Sequence, residues 1–279
     1  MTSDTDTAKR IRTGEFETHY HEAGQETGQG ERTVLLLHGS GPGVSAWANW
    51  STNLPVLAER FHVIAPDIVG YGATERPRDI IYSLRSWTDH VWSFLDTLGV
   101  QQFAIIGNSL GGRIALEMAA DAPDRVERMV LMGSPGLGMY VTEGLKALRA
   151  YEPSPENMAA LLRDYFAVDK SIITPELVQR RYAASQEPEA HAAYRSMFFD
   201  PKHKGNELGI TEEQVRATTT RTLVVHGRED LVVPKDVGWT MANALPDADL
   251  HLFAHCGHWT QIERSADFNA VVTAFLEEN

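Results

Sequence analysis

The chain has 279 residues, of which 43% are hydrophobic, and a formal net charge of −13 from 25 basic and 38 acidic residues. This length and apolar content suffice for one α/β domain with its own core. The excess of acidic residues argues against a nucleic-acid partner, whose phosphates bind lysine and arginine. The single cysteine, Cys256, excludes an internal disulfide.

The first ten residues, MTSDTDTAKR, carry acids where a secretory signal peptide needs basic and apolar residues. No segment approaches the roughly 18 uninterrupted apolar residues of a membrane span. We therefore expect a cytoplasmic protein with no membrane partner.

The order of apolar segments predicts a mostly parallel sheet. From Arg10 to Ala23 the residues alternate loosely around a glycine, which predicts an edge hairpin of antiparallel strands. Short continuous apolar runs then alternate with segments of helical spacing, as in βαβ units covered by helices on both faces. The apolar runs are 33–37, 61–65, 103–107, 128–132, 222–227 and 249–254, and the helical segments are 86–98, 110–120, 235–245 and 262–277.

This alternation stops between about Pro135 and Ala217, where helix starts replace strand-like runs. Ser154 and Thr174 each precede a proline and a glutamate, a pattern typical of a capped helix N-terminus. A third helix is expected to start within residues 186–189.

We interpret residues 135–217 as a helical lid inserted into an α/β core formed by 1–134 and 218–279. Open α/β sheets bind their ligands at the carboxyl ends of the strands, and the lid is expected to cover these ends.

Residues 107–111, Gly-Asn-Ser-Leu-Gly, fit the GxSxG nucleophile elbow and stand between a strand-like run and a helical segment. In such an elbow the serine lies at a strained turn, and the flanking glycines relieve crowding. The following helix directs free N–H groups toward developing negative charge. Ser109 is therefore the candidate nucleophile.

A serine nucleophile needs a base, and the base needs an acid that orients it. Asp230 and His258 each follow a predicted strand, in the chain order Ser, Asp, His, so both should lie at the same sheet edge as Ser109. Asp230 could instead cap a turn, and His258 could be an ordinary loop histidine. We interpret His251, within a strand, and His255, at its end, as structural.

The glycine-rich stretch HGSGPG, residues 38–43, follows the first parallel strand and leaves backbone N–H groups free. The N–H of Ser40, together with that of Leu110, could form an oxyanion hole. The alternative is that this stretch is only a tight turn.

Together these motifs resemble those of the α/β-hydrolase family over nearly the whole chain. PDIVGYGAT, residues 66–74, is also typical of that family, and we interpret Asp67 and the glycines there as structural. HGSGPG, GNSLGG (107–112) and CGHWTQIE (256–263) together are similar to the motifs of the meta-cleavage product hydrolases. That group breaks a carbon–carbon bond in ring-fission products of aromatic degradation.

The resemblance implies a 2-hydroxy-6-oxo-hexa-2,4-dienoate substrate, and Arg181 in the lid is then expected to bind its carboxylate or 2-oxo group. Arg180 is adjacent on the same helix, so one of the two should be solvated, and both could be surface residues. Arg113 is a weaker candidate for the same role.

Three further residues carry over from the resemblance as substrate-binding. Asn49 and Asn108 are expected near the oxygenated end of the substrate, and Trp259 beside the base. Alternatively, Asn108 only holds the turn and Trp259 only fills the core.

The implied reaction is hydrolysis of the C5–C6 bond to 2-hydroxypenta-2,4-dienoate and a carboxylic acid. Ser109 would be the nucleophile, His258 the base and Asp230 the residue that fixes the imidazole tautomer. No metal or organic cofactor is implied. CGHWTQIE and the lid start at 131–148 resemble the branch acting on 2-hydroxymuconate semialdehyde and its 6-methyl analogue, which release formate or acetate. Relatives are commonly homodimers or larger homo-oligomers, so we expect the same here.

Two other functions remain open. A carboxylesterase would use the same triad on an ester. A non-catalytic receptor or scaffold of the same fold is disfavoured because such proteins often lose a triad member, and this chain keeps all three. A haloalkane dehalogenase is disfavoured because Ser109, not an aspartate, occupies the nucleophile position.

Overall fold

The computed structural model describes residues 4–24, 32–203 and 207–278. Residues 1–3, 25–31 and 279 of the predicted core, and residues 204–206 of the predicted lid, lie outside the described part. An eight-stranded sheet has the order β1-β2-β4-β3-β5-β6-β7-β8. The strands are β1 (Ala8–Thr13), β2 (Phe16–Ala23), β3 (Thr33–Leu37), β4 (His62–Pro66), β5 (Phe103–Asn108), β6 (Val126–Met132), β7 (Arg221–Gly227) and β8 (Ala248–Phe253). The first two strands form the predicted antiparallel edge hairpin, and β3 to β8 are parallel. The predicted fold class is confirmed.

Helices cover both faces of the sheet. They are α1 (Asp4–Thr7), α2 (Ala46–Trp50), α3 (Leu54–Leu57), α4 (Leu84–Thr97), α5 (Leu110–Asp121), α6 (Glu143–Arg149), α7 (Pro155–Leu161), α8 (Pro175–Gln186), α9 (Pro188–Phe199), α10 (Glu212–Ala217), α11 (Lys235–Ala244), α12 (Thr260–Glu263) and α13 (Ser265–Leu276). A π-helical turn, Leu162–Phe166, and a 3₁₀ turn, Lys170–Ile172, complete the helical segments. Among the described helices, none is long and apolar enough to cross a membrane.

The continuous apolar strands are explained by two cores, one on each face of the sheet. Because side chains alternate along a strand, Leu35 and Leu37 enter one core while Val34 and Leu36 enter the other. The first core also contains apolar residues of α4, α5 and the helices between β6 and β7, and the second contains those of α2, α3 and α13. Burial of each such side chain contributes about 1.5–3 kcal/mol.

Every described element of secondary structure between β6 and β7 is a helix or a helical turn, and none is a strand. The two predicted helix caps are present, since Ser154 accepts a hydrogen bond from the Asn157 N–H and Thr174 accepts one from the Leu177 N–H. The third helix begins at Pro188, as expected. The division into a core and a lid at residues 135 and 217 stays a prediction.

The closing helix differs from the prediction of one helix over 262–277. The chain forms α12 and α13 with a break at Arg264, whose φ of −123° and ψ of 42° are not helical. Arg264 donates to the Ala254 carbonyl and to Asp267, and this holds the bend. The break separates the turn after His258 from the long helix that packs on the sheet.

Asp67 has the structural role expected of it. Its buried carboxylate accepts hydrogen bonds from the Ala46 N–H at 2.6 Å, the Ala73 N–H at 2.8 Å and the His19 imidazole at 2.8 Å. Burial alone would raise the pKa of Asp67, but the hydrogen bond from His19 is foremost among the contacts that bring it below the usual value. Gly72 has a φ of 51° and lies against this carboxylate, where a Cβ would collide with it.

Candidate active site

Ser109 stands at a strained turn between β5 and α5. Its φ of 52° and ψ of −115° are unfavourable for a side chain with a Cβ, and such strain costs about 1–3 kcal/mol. The backbone holds it there, because the Ser109 N–H donates to the Met132 carbonyl at 2.8 Å. A Cβ on Gly107 would collide with the backbone of Gly111, and a Cβ on Gly111 would collide with the backbone of Leu37. These glycines are therefore required by close packing at the elbow.

His258 and Asp230 form a buried hydrogen-bonded pair. The His258 Nδ1 lies 2.7 Å from the Asp230 Oδ2, and the Asp230 Oδ1 accepts hydrogen bonds from the N–H groups of Val232 and Val233. Burial alone would raise the pKa of Asp230, but the charge of His258 and hydrogen bonds from His226 and His258 bring it below its usual value. An ionised carboxylate only accepts hydrogen bonds, so Nδ1 carries the proton and Nε2 is left as the acceptor.

The end of β6 brings this pair beside the elbow. Ser109 donates a hydrogen bond to the carbonyl of Met132, and the next residue, Gly133, lies close to His258 and Asp230. A Cβ on Gly133 would lie 3.1 Å from the His258 ring and 3.3 Å from the Asp230 carboxylate. Among the described contacts no hydrogen bond joins the Ser109 hydroxyl to His258. Catalytic hydrogen bonds are often long without substrate and shorten when it binds.

Ser40 and Leu110 border the same 330 Å³ cavity as Ser109. Leu110 is the first residue of α5, so its N–H has no acceptor within the helix. In the described part of the chain the Ser40 N–H also has no acceptor. A Cβ on Gly39 would lie 3.1 Å from the Ser109 Cβ, which shows how closely the glycine-rich turn approaches the elbow. Both amides are thus available to an oxyanion.

Arg181 and Arg180 differ sharply in burial. Arg181 is 5% exposed and donates to the Gly43 carbonyl at 3.1 Å, whereas Arg180 is exposed. The Arg181 guanidinium carbon lies 5.2 Å from the centre of the Trp259 ring, and its Nε has no acceptor among the described residues. Burial, and secondarily the charge of Arg180, lower the pKa of Arg181 to about 10. Arg181 therefore stays charged at neutral pH.

The guanidinium of Arg113 is already bound by groups of the protein. It pairs with Glu117 at 2.8 Å and donates to the carbonyls of Leu208 and Gly209. These contacts attach α5 to the segment before α10, which is a structural role.

The two candidate asparagines, Asn108 and Asn49, differ in whether their side-chain amide nitrogen is already hydrogen bonded. Asn108 donates to the Met132 carbonyl at 3.3 Å, so it holds the turn, which was the alternative to a substrate role. Asn49 is buried, and within the described part of the chain its Nδ2 has no acceptor. Gln261, which sequence reasoning missed, donates to the Asn49 carbonyl at 3.4 Å and leaves its own Oε1 unpaired. Buried polar atoms without partners cost about 1–3 kcal/mol each, so such atoms mark a place where a polar ligand can bind.

The predicted residues do not all border one cavity. Ser40, Ser109 and Leu110 border the 330 Å³ cavity, while Arg181 borders a separate cavity of 790 Å³. Trp259 links His258 to Arg181, because it follows His258 directly in the chain and its ring packs against the Arg181 guanidinium. Among the described residues no three His, Cys, Asp or Glu side chains are grouped to hold a metal ion.

Comparison with known proteins places this geometry in a family. The alpha/beta hydrolase fold family matches residues 32–265. The chain belongs to the α/β-hydrolase family. It is 46% identical to the 2-hydroxymuconate semialdehyde hydrolase of Pseudomonas sp. (strain CF600), over 88% of this chain and 87% of that protein. It is 40% identical to the 2-hydroxy-6-oxo-2,4-heptadienoate hydrolase of Pseudomonas putida (strain F1), over 96% and 95% of the two chains.

A solved structure of the meta-cleavage product hydrolase from Pseudomonas fluorescens IP01, a serine-to-alanine mutant complexed with acetates, superposes with a TM-score of 0.91. It is 42% identical, and the match covers 98% of each chain. Within the α/β-hydrolase family, this chain therefore groups with the meta-cleavage product hydrolases.

Glu263 is a further residue of this α/β-hydrolase that sequence reasoning missed. Its Oε1 accepts a hydrogen bond from the Gly257 N–H at 2.8 Å, and its Oε2 accepts from the N–H groups of Val168 and Asp169 at 2.7 and 3.0 Å. The His258 N–H donates to the Phe166 carbonyl at 2.8 Å. One carboxylate thus joins the loop of the base to the segment after the π-helical turn. Its signal in the sequence was only its place at the end of CGHWTQIE.

We predict that Glu263→Gln loosens both segments, because an amide nitrogen cannot accept a hydrogen bond and one side of the bridge must be lost. Amide hydrogen exchange, measured by mass spectrometry, should become faster in peptides covering 166–170 and 255–259. Glu277→Gln, which alters an exposed ion pair with Arg60, is the matched control and should leave these peptides unchanged. Equal protection of these peptides in wild type and Glu263→Gln would contradict the bridging role.

Proposed function

We propose that this chain hydrolyses the C5–C6 bond of 2-hydroxy-6-oxo-hexa-2,4-dienoates in the breakdown of aromatic compounds. The proposed substrates are 2-hydroxymuconate semialdehyde and its 6-methyl analogue, which would release formate and acetate. The names of the two relatives support this chemistry. The observation that carries the proposal is the buried, incompletely paired guanidinium of Arg181 beside the loop of His258.

In the proposed reaction the dienol substrate first becomes a ketone as a proton is delivered to C5. Ser109 then attacks the C6 carbonyl, with His258 taking the hydroxyl proton through Nε2. The N–H groups of Ser40 and Leu110 stabilise the oxyanion. As the C5–C6 bond breaks, its electron pair passes to the 2-oxo oxygen, which takes the proton from His258, and 2-hydroxypenta-2,4-dienoate leaves. With His258 again as the base, water then hydrolyses the acyl group and Ser109 regains its proton. The net change adds hydrogen at C5 and hydroxyl at C6.

The oxygenated end of the dienoate is assigned to Arg181, Asn49, Asn108 and Trp259. Arg181 and Asn49 each have a donor atom with no acceptor in the described structure, and a carboxylate or 2-oxo group would supply one. Asn108 is committed to the Met132 carbonyl through Nδ2, so we assign it a weaker contact through Oδ1. Trp259 supports Arg181 by a cation–π contact.

The first prediction is that the purified protein bleaches the yellow dienolate of 2-hydroxymuconate semialdehyde, followed by absorbance. Ser109→Ala should abolish the bleaching, because the nucleophile is removed. Ser171→Ala, at an exposed position, is the matched control and should keep the wild-type rate. Unchanged absorbance during long incubation with wild-type protein would reject the proposed function.

The second prediction separates this function from that of a carboxylesterase with the same triad. Arg181→Met should lower kcat/KM for the dienoate about ten- to hundredfold, because a hydrogen-bonded charge pair is lost. Hydrolysis of p-nitrophenyl acetate, which has no carboxylate, should fall much less. Arg180→Met controls for loss of a positive charge. Fast turnover of the ester, with equal dienoate rates in wild type and Arg181→Met, would favour the esterase.

We also propose that the chain acts in the cytoplasm as a homodimer or larger homo-oligomer. The support is that relatives are commonly oligomeric, and the described surface carries exposed Leu231 and Trp239. The elution volume in size-exclusion chromatography should correspond to at least two chains of 31.0 kDa. Elution as a monomer at micromolar concentration would reject the oligomer.

A further inference from the structure

His38, the residue directly after β3, is a buried imidazole that the proposed reaction does not use. It is 0% exposed, and it lines neither the 330 Å³ cavity nor the 790 Å³ cavity. Ser40, two residues later, does border the 330 Å³ cavity beside Ser109. His38 therefore does not touch a substrate there, and any part that it has in the reaction acts through the residues that it holds.

Both ring nitrogens of His38 are hydrogen bonded to the backbone. Nδ1 lies 2.7 Å from the Gly39 carbonyl oxygen, and the Ile68 N–H donates to Nε2 at 2.9 Å. Because a carbonyl only accepts, Nδ1 carries the proton, and because Nε2 accepts, it carries none. Burial is the main cause that lowers the pKa of His38, which agrees with a ring that stays neutral. The imidazole is thus fixed in one tautomer.

The loop that contains Ile68 is a fixed support for this imidazole. The preceding residue, Asp67, donates its backbone N–H to the His19 carbonyl at 2.9 Å, and its carboxylate accepts three further hydrogen bonds. The Tyr71 ring packs edge-on against the His38 ring, with 5.4 Å between the ring centres. The ring of His38 therefore has little freedom to move, and neither has the group that it binds through Nδ1.

The Gly39 carbonyl and the Ser40 N–H belong to the same peptide unit. This unit is planar and trans, so the two groups point in opposite directions. A hydrogen bond that holds the carbonyl toward His38 therefore also sets the direction of the N–H, away from His38. A Cβ on Gly39 would lie 2.9 Å from the Asn108 Oδ1 and 3.1 Å from the Ser109 Cβ, so the unit lies directly against the elbow.

We propose that His38 is a positioning residue, which orients the Ser40 N–H toward the oxyanion through its hydrogen bond to the Gly39 carbonyl. This inference rests on the oxyanion hole of the proposed function and adds the residue that holds one of its two donors. A donor that is already oriented needs no reorganisation when the charge develops. Hydrogen bonds in a chain also polarise one another, so the bond from His38 strengthens the Ser40 N–H as a donor.

Two substitutions of similar shape separate the two hydrogen bonds of His38. In His38→Asn the amide nitrogen takes the place of Nδ1 and can still donate to the Gly39 carbonyl. In His38→Gln the longer side chain brings its amide oxygen to the place of Nε2, where it can accept the Ile68 N–H, but no donor remains at the place of Nδ1. Each variant keeps one hydrogen bond, and only His38→Asn keeps the one that orients the Ser40 N–H.

We predict that kcat stays close to the wild-type value in His38→Asn and falls about tenfold or more in His38→Gln, since complete removal of an oxyanion-hole donor costs about 100- to 1000-fold. KM for the dienoate should change little in both variants, because Arg181 holds its carboxylate. The measurement is the steady-state kinetics of 2-hydroxymuconate semialdehyde bleaching and of p-nitrophenyl acetate hydrolysis, since both reactions need the same oxyanion hole.

His90→Gln is the matched control. His90 is also buried and also accepts a backbone N–H, that of Val69 at 3.1 Å, but its other ring nitrogen bonds Thr18 on the edge hairpin instead of the glycine-rich stretch. This variant should lower the melting temperature and leave kcat unchanged. Equal losses of kcat in His38→Asn and His38→Gln, in step with their melting temperatures, would overturn the inference, as would a wild-type kcat in His38→Gln.

A measurement on the wild-type protein covers the case in which His38→Gln does not fold. Methylboronic acid forms a tetrahedral anionic adduct with a serine nucleophile and places an oxygen where the oxyanion would lie. The NMR resonance of the His38 Nδ1 proton should then move downfield, because the new bond to the Ser40 N–H polarises the Gly39 carbonyl. An unchanged resonance in protein that carries the adduct would overturn the inference.

Failure of this inference is distinguishable from failure of the proposed function. Wild-type protein that hydrolyses the ester but bleaches no dienoate would reject the proposed function, and the ester kcat of the two His38 variants would still decide the role of His38. Bleaching by the wild type with the same kcat in His38→Gln would reject the role of His38 alone.

Discussion

The buried carboxylate of Asp230 is the constraint on which the site depends. It remains ionised inside the protein because two backbone N–H groups and two imidazoles surround it. Since an ionised carboxylate only accepts hydrogen bonds, it fixes the proton of His258 on Nδ1 and leaves Nε2 for the nucleophile. Only when the imidazole is held in this tautomer can it accept a proton from Ser109. The strained turn at Ser109 and the free amides of Ser40 and Leu110 therefore depend on it for any role in catalysis.

The loop that carries His258 is held largely by contacts with the helical segment between β6 and β7. The Phe166 carbonyl accepts the His258 N–H, and the Phe166 ring lies edge-on to the imidazole at 5.5 Å. Glu263 adds a carboxylate that bonds both segments. Burial raises the pKa of Glu263, while its three backbone donors oppose this rise. The position of the base and the position of the helical segment between β6 and β7 are therefore coupled through the same few hydrogen bonds.

The sequence predicted those features that depend on local pattern. The inner parallel strands β3, β4 and β5 were found within about one residue, because both of their faces are buried and nearly every position is apolar. Ser154 and Thr174 were found because a cap depends on its next three residues. Glu263 and Gln261 could not be found, because each acquires its role from segments distant in the chain. Asn108 shows the same limit, since its bond to Met132 depends on how β5 pairs with β6.

Because the chain is strongly acidic, unpaired arginines beside its cavities matter for binding an anion. A net charge of −13 repels an anionic substrate at long range, but salt screens this over about 8 Å, so local cations decide binding. On such a chain most arginines pair with acids, as Arg113 does with Glu117. Arg149 and Arg181 make no such pair among the described residues, and each borders a cavity. The desolvation of an arginine is recovered when an anion binds, so an unpaired guanidinium beside a cavity favours an anionic ligand there.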